Sequence, residues 1–102
     1  MLDVGAEQLE ELFRADDRLV LVDFWTARCE PCREFRSELD QLAAAHPDVC
    51  VVVAVDADRE PDAISRHRVQ EFPTLVFFRH GREVHRFKGG ALPTSTLDLL
   101  RG

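Results

Sequence analysis

No apolar run in this chain approaches the roughly 20 residues needed to cross a bilayer as a helix. Met1-Leu2-Asp3 does not open the basic and then apolar stretch of a secretory leader. Lysine is nearly absent, Lys88 being the only one, and the arginines are scattered rather than clustered. With a formal net charge of -6, this argues against nucleic acid or an anionic membrane as the main partner. Cysteine is scarce as well: three in 102 residues do not make a disulfide scaffold. Repeats, low-complexity tracts and linkers are missing. Its length leads us to expect one domain over residues 1–102, and the lack of a leader or membrane span a cytoplasmic one; a monomer without metal or other cofactor is expected as well.

The periodicity of what is present predicts an alternation of helices and strands. Leu9, Leu12 and Phe13 recur at helical spacing within Gly5 to Ala15. Leu19 to Trp25 is a near-continuous apolar run, the pattern of a strand covered on both faces. Cys29 to about Ala45 carries Phe35, Leu39, Leu42 and Ala43 on one helical stripe, and His46-Pro47 stops it. Val49 to Val55 is a second apolar strand, followed by a short helix from about Glu60 to His67 with Pro61 in its first turn. Thr74 to Arg79 and Glu83 to Lys88 read as strands joined by a His80-Gly81 turn. Thr94 to Arg101 closes the chain as a helix, and Met1 to Val4 is the candidate for a fifth, brief strand. Strands separated by helices require right-handed parallel crossovers, and the closing hairpin adds antiparallel pairing. The expected fold class is α/β: a mixed sheet of four or five strands with helices on both faces.

Chemistry concentrates at Cys29-Glu30-Pro31-Cys32, directly after VLVDFW and at the start of a helix. Two cysteines at this spacing can close a reversible disulfide. The first of them faces the free N–H groups and positive dipole end of the helix, which favour a thiolate. A thiolate is the form that attacks disulfides. Taken alone, CxxC divides evenly between redox and metal uses. Zinc requires four ligands, typically as two closely spaced pairs. His46, His67, His80 and His85 are dispersed and each reads as a solvated surface histidine, so the metal reading is the weaker one. Cys50, within VCVVVAV, reads as a small buried hydrophobe.

Several separated motifs resemble the thioredoxin family. VDFWTARCEPC is similar to its active-site strand and turn, VAVDAD to its central strand, EFPTLVFFRHG to the segment with its cis-proline and hairpin, and KGGAL to its late glycine loop. The resemblance covers nearly the whole chain and implies a thioredoxin fold and a protein-disulfide reductase. It makes Cys29 the exposed nucleophile, Cys32 the buried resolving thiol, and the Cys29–Cys32 disulfide the oxidised state. Helix geometry favours the same roles, since Cys29 lies at the helix start and Cys32 one turn inside.

The resemblance further implies that Asp23, the only charge in LVLVDFW, moves a proton for Cys32. A buried acid is costly unless something uses it, and desolvation raises its proton affinity. Pro73 matches the cis-proline, with Phe72 before it, and Trp25 the tryptophan beside the active site. Gly89, Gly90 and Ala91 match the loop bordering the substrate groove, and Arg28, Glu30 and Pro31 complete the rim. The implied partners are disulfide-containing client proteins and, as electron donor, an NADPH-dependent thioredoxin reductase.

Four positions depart from the family pattern. Arg28 stands for a tryptophan, which favours a thiolate at Cys29 but removes a flat apolar docking surface. Glu30 stands for a glycine and pushes the other way, toward a more reducing couple. Val52 stands for a lysine beside the buried aspartate, and Ser37 for a helix-kinking proline. These changes keep a second class of function in view, a binding or chaperone-like module with a dedicated redox partner.

Overall fold

A computed structural model describes residues 1–101. The element order is β1 (Leu2–Asp3), α1 (Ala6–Ala15), β2 (Leu19–Trp25), α2 (Glu30–Ala45), β3 (Cys50–Asp56), α3 (Pro61–Arg66), β4 (Thr74–Arg79), β5 (Arg82–Lys88) and α4 (Thr96–Arg101). The strands form one five-stranded sheet in the order β1-β3-β2-β4-β5. β1 and β2 run parallel to β3, whereas β4 runs antiparallel to both β2 and β5.

The period of two along each strand divides the core into two layers. Val20, Val22 and Phe24 of β2 join Leu9 and Phe13 of α1 and Ala63 of α3 in one apolar cluster. Leu19 and Leu21 join Phe35, Leu39 and Leu42 of α2 and Leu100 of α4 in the other. By the same alternation Asp23 belongs to the second face, the one roofed by α2. A central strand with both faces covered explains why VLVDFW reads as an unbroken apolar run.

The expected mixed sheet with helices on both faces is observed, and only element ends differ. β3 runs one residue past Val55, because Asp56 still pairs with Trp25. α4 begins at Thr96 rather than Thr94, since the Thr96 amide and hydroxyl both donate to the Pro93 carbonyl and hold a turn there. β1 is only two residues long. At the hairpin, His80 and Gly81 both have positive φ, 52° and 78°, as a two-residue turn joining twisted strands requires. α2 runs unbroken through Ser37.

Candidate active site

The end of β2 and the start of α2 build the centre of the site. Thr26 begins a tight turn, its carbonyl accepting from the Cys29 amide at 3.1 Å. Cys29 then caps α2: its backbone is extended and its sulfur accepts from the Cys32 amide at 3.2 Å. Pro31 occupies the first turn of the helix, where a missing N–H costs nothing. Cys29 and Cys32 are placed for a disulfide, with their Cα atoms 5.3 Å apart. Cys29 is half-buried and Cys32 fully buried, which gives the two sulfurs unequal access to a partner.

Two loops from other parts of the chain close on this pair. The Phe72–Pro73 peptide bond is cis, and the Pro73 carbonyl accepts from the Gly89 amide at 3.0 Å. Gly89 has φ +97°, a conformation open to glycine. A Cβ built on Gly90 would lie 3.2 Å from the Pro31 Cβ and 3.4 Å from its carbonyl oxygen. That backbone therefore abuts the CxxC turn, and a side chain there would have to displace it. Pro73 is buried, Gly89, Gly90 and Ala91 are exposed, and Phe72 turns its ring into the α1/α3 layer of the core. Phe72 consequently offers the surface its backbone rather than its ring.

The charged rim lies open to solvent. The Arg28 side chain is 85% exposed and reaches Asp58 at 3.6 Å. Glu30 and Pro31 are exposed in the first turn of α2. Asp58 also accepts from the Thr26 hydroxyl at 3.2 Å, bracing the turn before Cys29 from the loop after β3.

Beneath α2, Asp23 is fully buried and neither carboxyl oxygen has a hydrogen-bond partner. Burial pushes its carboxyl up to about 7, while Arg36 pulls it down and Asp3 pushes it further up. Desolvation penalises the charged form, which explains the sign. Its sheet neighbours are uncharged, Ala54 on β3 and Leu75 on β4. With valine at position 52, the cation that acts on Asp23 comes from α2 instead. Sequence reasoning did not single out Arg36 or Asp3. One is an ordinary polar position of an amphipathic helix, and the other lies twenty residues before Asp23.

Trp25 is half-buried beside these groups. Its indole Nε1 donates to Asp3 Oδ1 at 2.8 Å, and the Arg36 guanidinium lies over its ring, 5.3 Å from the centroid.

Of the residues expected at the surface, His67 is corrected. Its ring lies among Phe13, Phe24 and Phe78, with centroids 6.3, 5.7 and 5.3 Å away, and burial lowers its proton affinity. It reads as solvated in the sequence because it ends a short helix among Arg and Ser. Cys50 is free and buried, its thiol donating to the His46 carbonyl at 3.5 Å. Among the described residues, no three His, Cys, Asp or Glu side chains come together as a metal site.

With this geometry in view, comparison with known proteins is specific. The thioredoxin family model matches residues 1–100. Thioredoxin from Alicyclobacillus acidocaldarius is 40% identical over 73 residues, which are 72% of this chain and 70% of that protein. Thioredoxin 1 from Chlorobaculum tepidum is 36% identical over 88 residues, 86% of each chain. The X-ray structure of Fasciola hepatica thioredoxin matches with a TM-score of 0.86 and 33% identity, covering 98% of this chain and 95% of that one.

Proposed function

Because the chain belongs to the thioredoxin family and is a thiol–disulfide oxidoreductase that reduces protein disulfides, we propose that Cys29 attacks the client, Cys32 resolves the intermediate and Asp23 takes up the proton of Cys32. In the reduced protein the Cys29 thiolate attacks one sulfur of a client disulfide. The new bond is Cys29–S–S–client, and the other client sulfur leaves as a thiolate and takes a proton from water. Asp23, as carboxylate, accepts the Cys32 proton. The Cys32 thiolate then attacks Cys29 Sγ, closing the Cys29–Cys32 disulfide and releasing the second client sulfur. Two electrons pass to the client, and the Asp23 proton returns to solvent or to the departing thiolate.

The single observation that carries this reading is the placement of the pair. A cysteine pair placed for a disulfide caps a helix, with one sulfur reachable and the other buried on the face that holds an unpartnered acid. A proton affinity near neutrality suits a group that must both accept and release protons at ordinary pH. Trp25, Arg28, Glu30, Pro31, Phe72, Pro73, Gly89, Gly90 and Ala91 form the client-facing rim in this reading, with Phe72 contributing backbone. Residues 1–102 act as one domain and as a monomer, without a metal or other cofactor. The pair is returned to its dithiol form by an NADPH-dependent thioredoxin reductase. A reducing, cytoplasmic setting suits a reversible pair alongside a free, buried Cys50.

Dithiothreitol-driven reduction of insulin tests the reading. The protein is expected to accelerate loss of insulin disulfides well above dithiothreitol alone. A rate no different from the reagent alone would favour the binding or chaperone-like alternative, in which the fold is kept and exchange with clients is not.

A further inference from the structure

The Asp23 carboxyl has no hydrogen-bond partner, yet charges of both signs stand close to it on neighbouring elements. Sheet register explains how. Ala54 of β3 pairs with Asp23 on one side and with Asp3 of β1 on the other, so the three share one row. Residues paired in a row point to the same face of a sheet, and two strand spacings separate Asp3 from Asp23, about 10 Å. Only the methyl group of Ala54 stands between them in that row. Trp25 lies two residues past Asp23 on β2 and therefore on the same face.

Above them, Arg36 follows Cys32 by four residues on α2, so its stem lies over the same strip of sheet. Its guanidinium donates to Asp3 Oδ2 at 2.9 Å and packs over the Trp25 ring. Asp3 in turn accepts from the Trp25 indole. Each member of this trio contacts the other two, which fixes the positions of both charges. The Arg36 side chain is only 29% exposed, so its field is less screened than that of a solvated arginine.

We propose that the Arg36–Asp3 pair, braced on Trp25, is a positioning device that sets the proton affinity of Asp23 through opposed charges held at fixed places. The inference rests on Asp23 being the proton carrier only for its functional meaning, and the coupling itself is independent of turnover. The groups on the elements around Asp23 are Arg36 from α2, Asp3 from β1, Ala54 and Val52 from β3, and Leu75 from β4. Arg36 and Asp3 are the charged ones. Arg36 favours the carboxylate, and Asp3 favours the protonated acid.

The test follows the Asp23 carboxyl carbon by NMR against pH in the oxidised protein, where neither active-site thiol titrates. Arg36→Gln should raise the midpoint by roughly half a pH unit. A charge about 10 Å from the carboxyl would produce a shift of that size at a dielectric between those of protein and water. Arg36→Lys should restore it most of the way, and Asp3→Asn should lower it. Opposite signs from two residues of one ion pair are the signature of charge. If the pair merely sealed Asp23 from water, breaking it from either side would hydrate the carboxyl and lower both midpoints.

A midpoint that falls or stays put in Arg36→Gln, or rises in Asp3→Asn, overturns the inference. The rate at which Cys32 resolves a preformed mixed disulfide is then measured in the same variants. If the midpoints move as stated while that rate does not follow them, the coupling stands and the proton-carrier role of Asp23 falls.

Discussion

Cys29→Ser protein is expected to reduce insulin no faster than dithiothreitol alone. A serine hydroxyl is close to isosteric with the thiol and keeps a polar cap on α2, but it cannot form the sulfur–sulfur bond on which transfer depends. The loss is therefore one of chemistry and not of degree. Folding should be little changed, because Cys29 sits at the helix start and lies outside both apolar clusters. Cys32 is a different case. It is buried, so only a sulfur already linked to Cys29 brings it substrate. Retention of full activity in Cys29→Ser, with the protein shown to be folded, would remove Cys29 from the mechanism and leave no exposed thiol to replace it, since Cys50 is buried.

Asp23→Asn should separate activity from stability. An acid whose folded pKa lies above its unfolded value holds its proton more tightly in the folded state. That contribution is complete below the ordinary value of 3.8 and is lost as pH rises through the folded value of about 7. Above that range the folded protein carries a buried carboxylate with no hydrogen-bond partner. The shift spans about three pH units at 1.4 kcal/mol each, so the cost approaches roughly 4 kcal/mol at about pH 8. Asparagine does not titrate. The stability of Asp23→Asn relative to the parent should therefore improve by about that amount between about pH 4 and about pH 8. For a domain of this size it corresponds to a Tm difference on the order of 20 °C.

Taking the difference between two pH values removes the fixed cost of burying an amide. Resolution of the mixed disulfide should slow by roughly 100-fold near neutral pH, the usual worth of a positioned general base. Thermal unfolding at the two pH values checks the first expectation, and stopped-flow resolution kinetics the second. A relative stability that does not change with pH would mean that Asp23 titrates normally in the folded protein.

How far these effects can be read from sequence differs between parts of the site. The CxxC turn, the proline-bearing loop and the glycine loop are local patterns whose residues carry their own backbone requirements. Pro31 belongs in a first helical turn, and His80-Gly81 accepts positive φ. The apolar strands were legible because both faces of β2 are covered, which leaves Asp23 conspicuous as a lone charge. Its surroundings were not legible. Which face Asp23 points to, and which row it shares, depends on parallel register between β1, β3 and β2, and short strands carry little register signal.

Asp3 is a surface-looking acid in a two-residue strand, and only the pairing with Ala54 brings it to the site. Arg36 falls on a polar position of an amphipathic helix, where an arginine normally signals nothing beyond solvent. His67 reads as solvated for the converse reason. A six-residue helix is too short to show an apolar stripe, so the three phenylalanines that enclose the ring come from elements far away in sequence.

Capture of the mixed disulfide tests the role of Cys29 most directly. Reduced Cys32→Ser protein retains the attacking thiol and lacks the resolving one, so with a disulfide-bonded client it should accumulate a covalent one-to-one adduct. Peptide mass spectrometry is expected to place that bond on Cys29, and dithiothreitol should release both partners unchanged. A folded Cys32→Ser protein that forms no adduct, or that carries it on Cys50, would contradict the mechanism.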